Sequence, residues 1–136
     1  MGTEEDILKN SKTIAIIGCS SNPERASNHV GSYLKEKGYR IIPVNPTEKT
    51  VLGEVCYPDL SSVPEKVDVV DIFRKSEDVP PIVKDAIKIG AKAVWMQEGI
   101  SSPEAAKEAA KAGLKVVQNK CMLKEHSRLF PSGGYG

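Results

Sequence analysis

The stretch that decides the fold is IAIIGCSSNPERASNHV, residues 14–30. An apolar run rich in β-branched residues ends at Gly18, and a serine-rich turn with Pro23 and Arg25 leads into a helix-like segment. A buried strand, a loop and a helix in this order are typical of the first unit of a parallel α/β sheet. In such units the loop and the start of the helix can hold phosphate groups.

The same alternation continues along the chain. Short runs rich in β-branched residues predict strands, and segments of about ten residues that stop before a glycine predict helices. Ser102 and Pro103 predict the clearest helix start, because serine is a favoured N-cap and proline a favoured first helical residue. Ser76 or Asp78 can cap the preceding helix. The predicted strands are 13–18, 40–45, 67–73, 93–97 and 115–119, and the predicted helices are 26–37, 79–89 and 103–112.

This order of elements predicts an α/β fold, a three-layer Rossmann-like doubly wound parallel sheet of about five strands with helices on both faces. Residues 46–66 break the alternation and predict an irregular crossover with a short hairpin and a single helical turn. The 136 residues fit a single domain spanning 1–136. Within it we expect an N-terminal helical extension at 1–10 and a mobile tail at 131–136.

Charge and cysteine content exclude several classes of function. The 19 lysine and arginine residues nearly balance the 18 acidic residues, so no strong field favours nucleic acid or a membrane surface. No apolar run approaches the roughly 20 residues that span a bilayer, and we expect a soluble, cytoplasmic protein. The 3 cysteines and 2 histidines lack the spacings of a disulfide framework or a metal site.

The loop after the first strand matches the dinucleotide fingerprint only in part. The pattern G-x-G-x-x-G needs glycines at positions 20 and 23, where this chain has serine and proline. Amides at the start of the following helix can still bind a diphosphate, and an arginine and serine hydroxyls can add donors. A plain solvated loop with an exposed arginine is the alternative. The residues expected at the site are Gly18, Cys19, Ser20, Ser21, Pro23, Arg25 and Ser27.

The ends of the other strands carry further candidates. After the second strand, Asn45 and Pro46 occupy the place of the acidic residue that binds the ribose of NAD. Their presence removes a negative charge and leaves room for a phosphate. After the third strand, Phe73 offers a stacking surface beside two cations, although a buried phenylalanine with a solvated basic pair is the alternative. The later candidates are Arg74, Lys75, Val79, Gln97, Glu98, Gly99, Asn119 and Cys121.

Four stretches together resemble the small stand-alone CoA-binding proteins, whose fold is that of the N-terminal domain of the succinyl-CoA synthetase alpha subunit. The resemblance implies that the first loop holds the diphosphate of coenzyme A. It also implies that VNP and FRKSEDV border the adenosine and its 3′-phosphate, which Arg74, Lys75 or Lys49 could meet. The stretches are IGCSSNPERASNHVGSYLKEKGYRIIPVNPTEKTVLGEVCYPDL, VDVVDIFRKSEDVPPIVKDAI, GAKAVWMQEG and GLKVVQNKCMLKEH, from about Ser11 to His126.

The expected function is binding of coenzyme A or an acyl-CoA by a non-catalytic binding or sensor module. No G-x-S-x-G elbow exposes a nucleophile, and the synthetase domain with the phosphorylated histidine has no counterpart in these stretches. An NAD(P)-dependent oxidoreductase and an enzyme that processes CoA thioesters with Cys121 or Glu98 are the alternatives. Cys19 or Cys121 could form a mixed disulfide with the CoA thiol, or be structural thiols. Exposed sheet edges allow a homodimer, and an unidentified protein partner remains open.

Overall fold

The computed structural model describes residues 2–131, so most of the tail expected at 131–136 lies outside the described residues. Within that range, the helices are α1 (Thr3–Asn10), α2 (Ala26–Glu36), α3 (Val79–Lys88), α4 (Pro103–Lys111) and α5 (Met122–Leu129). The strands are β1 (Thr13–Ile17), β2 (Arg40–Val44), β3 (Thr50–Val51), β4 (Glu54–Val55), β5 (Val69–Ile72), β6 (Ala93–Met96) and β7 (Lys115–Val117). Two short 3₁₀ turns span Leu60–Ser62 and Ser76–Asp78.

Five of the strands form one parallel sheet in the order β2–β1–β5–β6–β7. The chain leaves β1 for β2 on one side and later returns to β5 on the other. The strand order therefore reverses between β1 and β5, which makes the sheet doubly wound and opens a crevice at the carboxyl ends of these two strands. The predicted Rossmann-like fold class is confirmed.

Helices cover both faces of this sheet. Along β1, Ile14 and Ile16 pack into a core with α1, α2 and α5, whereas Ala15 and Ile17 pack into a second core with α3 and α4. This division follows from the pleat, since successive side chains of a strand point to opposite faces. The three predicted layers are present.

The boundaries differ from the predicted ones by a few residues. The strand expected at 67–73 is shorter and begins at Val69. The cap at Ser102 is confirmed, because its Oγ accepts a hydrogen bond from the Ala105 amide at 3.3 Å. Of the two caps offered for α3, Asp78 is the N-cap residue, but its side chain makes no capping hydrogen bond. Ser76 is not the cap, and its Oγ accepts from the amide of Ser101 at 3.0 Å.

The crossover at 46–66 has the predicted hairpin and helical turn. β3 and β4 pair antiparallel, with Thr50 opposite Val55. The Asp59 carboxylate accepts from the Ser62 amide at 2.9 Å and caps the 3₁₀ turn, which buries Leu60 in the core beneath α3. This crossover therefore supplies one wall of the crevice beside β1.

The N-terminal helix α1 packs on the same face as α2 and α5. It buries Ile7 and Leu8, and Glu4 forms a salt bridge of 2.6 Å with Lys120 after β7. Within residues 2–131, no helix combines the length and the apolar character that crossing a membrane requires.

Candidate functional site

Gly18 lies at the centre of the crevice between β1 and β5. Its φ of +84° falls in the left-handed region, where side chains other than glycine are strained. A Cβ at this position would lie 3.1 Å from Arg74 Cδ and 3.1 Å from the carbonyl oxygen of Phe73. The Gly18 amide donates to the Val44 carbonyl at 2.8 Å. Glycine is therefore required here by backbone conformation and by the close approach of the chain after β5.

Three adjoining cavities meet at this glycine, with volumes of about 170, 440 and 340 Å³. Gly18 lines all three, and each cavity shares further lining residues with the next. We call the three together the switch-point groove. Its lining residues are Ile17, Gly18, Glu24, Arg25, Ala26, Ser27, Val44, Asn45, Pro46, Thr47, Pro58, Asp59, Leu60, Phe73, Arg74, Lys75, Ile82 and Asp85.

One end of the switch-point groove is an apolar slot. Val44, Leu60 and Ile82 form its walls, and the carboxylates of Asp59 and Asp85 line the same cavity. Apolar walls with a few polar groups are typical of small-molecule sites. The slot can therefore accept a flat ring that has hydrogen-bond donors on its edge.

The middle of the groove carries cationic side chains. Arg74 and Lys75, which follow β5, line the 440 Å³ cavity together with Arg25. The Arg74 side chain is about half exposed and its guanidinium lies 3.6 Å from the Asp78 carboxylate, an exposed pair that holds the arginine only weakly. These cations favour an anionic ligand at the centre of the groove.

The loop between β1 and α2 uses most of its own amides. The Ser20 amide donates to Ser27 Oγ at 2.9 Å, and the Asn22 amide donates to Ser20 Oγ at 3.0 Å. Within residues 2–131, by contrast, the Ala26 and Ser27 amides have no hydrogen-bond partner, as expected for the first turn of a helix. An anion at this end of the groove would therefore meet the first turn of α2 rather than the serine turn.

A carboxylate that sequence reasoning missed is bound to the same loop. Glu48 Oε2 accepts from the Ser21 amide at 2.9 Å and from the Ser21 hydroxyl at 2.7 Å. These hydrogen bonds, the hydroxyl one first, lower the pKa of the Glu48 carboxyl. The absence of an acid immediately after β2 therefore does not leave the loop free of negative charge. Only the presence of an acid within the crossover could have signalled this contact.

Three residues expected at the site are buried in the protein interior instead. Cys19 is fully buried in the core beneath α1, α2 and α5, and Val79 is fully buried in the core beneath α3 and α4. Burial raises the pKa of the Cys19 thiol to about 12, and Cys56, Asp71 and Glu48 add to this shift. The Gln97 side chain is also buried, and its Oε1 accepts from the Met122 amide at 3.1 Å. Apolar packing against the sheet explains the positions of the first two.

The strand ends of β6 and β7 lie apart from the groove. Gly99 donates its amide to Asn119 Oδ1 at 2.6 Å, which ties the two strand ends together. Glu98 and Cys121 line another cavity, between α2 and α5. Of the 18 site residues predicted from the sequence, eight line the switch-point groove, and Glu98 and Cys121 line the neighbouring cavity. Three others are buried, and the remaining five line neither of these cavities: Ser20, Ser21, Pro23, Gly99 and Asn119. Sequence reasoning missed the groove residues Asp59, Leu60, Ile82 and Asp85, which the crossover and α3 supply.

Comparison with protein families matches residues 12–127 to a family described as CoA binding domain. The chain belongs to this family. The switch-point groove of this CoA-binding domain lies within the matched residues, as do both strands that flank Gly18.

Named relatives agree with this assignment. A Bacillus subtilis relative, the uncharacterized protein YneT, is 33% identical over 123 residues, covering 90% of this chain and 91% of that protein. The alpha subunit of the Pyrococcus furiosus ADP-forming acetate–CoA ligase II is 27% identical, covering 91% of this chain. This chain spans only 30% of the ligase subunit. The resemblance to the small stand-alone CoA-binding proteins related to the succinyl-CoA synthetase alpha subunit is confirmed.

A solved structure shows the same fold. The hypothetical protein from Pyrococcus horikoshii OT3 is 47% identical and superimposes with a TM-score of 0.89, covering 93% of this chain and 91% of that chain. The family and the three-layer fold therefore rest on independent sequence and structure comparisons.

Proposed function

We propose that the chain binds coenzyme A or an acyl-CoA in the switch-point groove, as a non-catalytic binding or sensor module. One observation carries the proposal: three cavities meet at Gly18, beside the first turn of α2 and beside Arg74 and Lys75. That arrangement offers an apolar slot, free helix amides and two cations in one continuous groove. Membership of the CoA binding domain family supports the same ligand.

The adenine ring would lie in the apolar slot between Val44, Leu60 and Ile82. Its exocyclic amine is a hydrogen-bond donor, and the carboxylates of Asp59 and Asp85 in the same slot are acceptors. The guanidinium of Arg74, which lines the same slot, can also stack on the adenine ring. This end of the groove would then fix the orientation of the ligand.

The diphosphate would lie over Gly18 against the first turn of α2. The Ala26 and Ser27 amides can donate to phosphate oxygens, and the helix dipole favours negative charge there. Arg25, which lines the same cavity, can add a charged hydrogen bond. Since Ser21 already donates to Glu48, Ser21 contributes to the loop rather than to the ligand.

The 3′-phosphate would meet Arg74 and Lys75. Both line the 440 Å³ cavity with Asn45 and Thr47, which places them beside the end of β2, near the adenosine position. Lys49 lines none of the three cavities. Of the three cations that the sequence offered, Arg74 and Lys75 are therefore the ones we propose.

Isothermal titration calorimetry under reducing conditions tests the proposal with CoA, dephospho-CoA and NADPH. We expect CoA to bind at least about tenfold more tightly than dephospho-CoA, because a charged hydrogen bond contributes about 1.5–3 kcal/mol. Lys75→Ala should narrow that ratio. The control is Lys92→Ala. Lys92 is also an exposed lysine, but it precedes β6 and so lies at the amino ends of the strands, away from the groove at their carboxyl ends.

Each outcome is decisive. Equal affinities for CoA and dephospho-CoA would refute the 3′-phosphate site while leaving the groove in place. Failure to bind CoA would refute the proposed function. Tight NADPH binding with weak CoA binding would favour the oxidoreductase alternative, in which the same cations would hold a 2′-phosphate.

A further inference from the structure

The three cysteines, all within the described residues, differ sharply in accessibility. Cys19 is fully buried and Cys56 is 7% exposed, whereas Cys121 is only partly buried. Burial raises the pKa of both the Cys19 and the Cys56 thiols. A protonated, buried thiol is a poor nucleophile. Of the three, Cys121 is the one that a ligand can reach.

Cys121 lines a cavity of about 350 Å³ between α2 and α5, which we call the α2–α5 pocket. Val30 and Leu123 give this pocket an apolar floor. Lys124 and Glu98 lie at its rim, with their charged groups 3.0 Å apart. The pocket therefore combines an accessible thiol, an apolar surface and a cation. Its lining residues are Glu24, Ala26, His29, Val30, Glu98, Cys121, Leu123 and Lys124.

The α2–α5 pocket adjoins the switch-point groove. Glu24 and Ala26 line both the pocket and the 340 Å³ cavity beside the first turn of α2. A ligand whose diphosphate lies on that turn can therefore continue past Ala26 into the pocket. For coenzyme A, the part beyond the diphosphate is a flexible arm that ends in a thiol.

We propose that Cys121 captures oxidised coenzyme A as a mixed disulfide; this proposal rests on the proposed function. The Cys121 thiolate attacks one sulfur of CoA disulfide, so that a Cys121–CoA disulfide bond forms and the original sulfur–sulfur bond breaks. The second CoA leaves as a thiolate and takes up the proton that Cys121 released, and no external oxidant is needed. Lys124, which lines the same pocket, would supply a positive charge for the departing thiolate. The protein would thereby retain CoA in proportion to the oxidised fraction of the CoA pool.

The test is intact-mass and peptide-mapping mass spectrometry of the full chain, incubated with CoA disulfide or with oxidised glutathione at equal concentration. Prior docking of the nucleotide raises the effective concentration of its disulfide near Cys121. We therefore expect one CoA adduct per chain, on Cys121, formed at least about tenfold faster than the glutathione adduct. Cys121→Ser, which keeps the other two cysteines, should form no CoA adduct.

A parallel calorimetric titration of the wild type with reduced CoA separates this proposal from the proposed function. Binding of reduced CoA without a Cys121 adduct, or with an adduct that forms no faster than with glutathione, overturns the proposal and leaves the binding function intact. An adduct on Cys19 or Cys56 overturns it as well. Absence of both binding and accelerated adduct formation overturns the two together.

Discussion

Asp71 is a carboxylic acid in the middle of the sheet. It lies on β5, opposite Ile16 of β1 and Trp95 of β6, and it is fully buried. Neither of its carboxyl oxygens has a hydrogen-bond partner within residues 2–131. Burial raises the pKa of this carboxyl well above its ordinary range. The folded protein therefore retains the Asp71 proton to a higher pH than the unfolded chain does.

This protonation makes stability depend on pH. In the unfolded chain Asp71 ionises near pH 3.9, about the ordinary value for aspartate. Above that pH the unfolded state has released a proton that the folded state retains, so raising the pH favours unfolding. The unfolding equilibrium constant should rise about tenfold per pH unit from this group, up to the folded pKa.

The perturbation is Asp71→Asn, which has a similar shape but cannot ionise. Urea denaturation at pH 5, 6 and 7, followed by the fluorescence of Trp95, the single tryptophan, gives unfolding constants for both proteins. Between pH 5 and pH 7 the unfolding constant of the wild type should rise by up to about a hundredfold relative to that of the variant. Contributions from other titrating groups cancel in that ratio.

Asp68 provides a matched control three residues earlier. Its Oδ2 accepts from the Lys12 amide at 2.9 Å and the Thr13 amide at 3.0 Å. Burial opposes ionisation, but these hydrogen bonds and the Lys92 charge outweigh it and lower the pKa of Asp68. The stability that ionised Asp68 contributes is present above its unfolded pKa and is lost only as the pH falls through its folded pKa. The ratio for Asp68→Asn should therefore stay flat from pH 5 to 7, and a flat ratio for Asp71→Asn would refute the reasoning.

Three further changes have defined outcomes. Glu48→Gln removes a negative charge from the loop that precedes α2 and should tighten CoA binding by about three- to tenfold in calorimetry; unchanged affinity would show that the carboxylate only anchors the loop. Tyr33→Phe removes the 2.9 Å hydrogen bond to His126 Nδ1 and should lower the free energy of unfolding by about 1 kcal/mol in urea. Ser102→Ala should also cost about 1 kcal/mol, whereas Ser101→Ala, outside the cap, should leave the urea midpoint unchanged.

The sequence was sufficient for the layers of the fold because each strand and helix carries its own signal. The β-branched run before Gly18 and the Ser102–Pro103 helix start are local features, and both are found in the structure. The irregular crossover was also predictable, since residues 46–66 show neither the two-residue period of a strand nor the 3.6-residue period of a helix. These features depend on neighbouring residues in the chain and not on the tertiary arrangement.

Side-chain direction and long-range contacts were not predictable in this way. Cys19 directly follows the loop glycine, yet its thiol is buried in the core with Ile16 and Val30. Neighbouring residues direct their side chains to different sides of the backbone, so a residue next to Gly18 need not face the groove. Glu48 reaches Ser21 across 27 positions in the chain, and no local pattern encodes that contact. Leu60 and Ile82 line the apolar slot only because the crossover and α3 pack together beside β1.

The most direct test of the central claim is a titration of the ¹⁵N-labelled protein with CoA, followed by amide chemical shifts. Ligand in the switch-point groove should shift the amides of Gly18, Ala26, Ser27 and Arg74 most strongly. A cavity of about 370 Å³ at the amino ends of the strands, lined in part by Ser11, offers an internal control. Shifts centred on that cavity, or no shifts with CoA, would contradict the account.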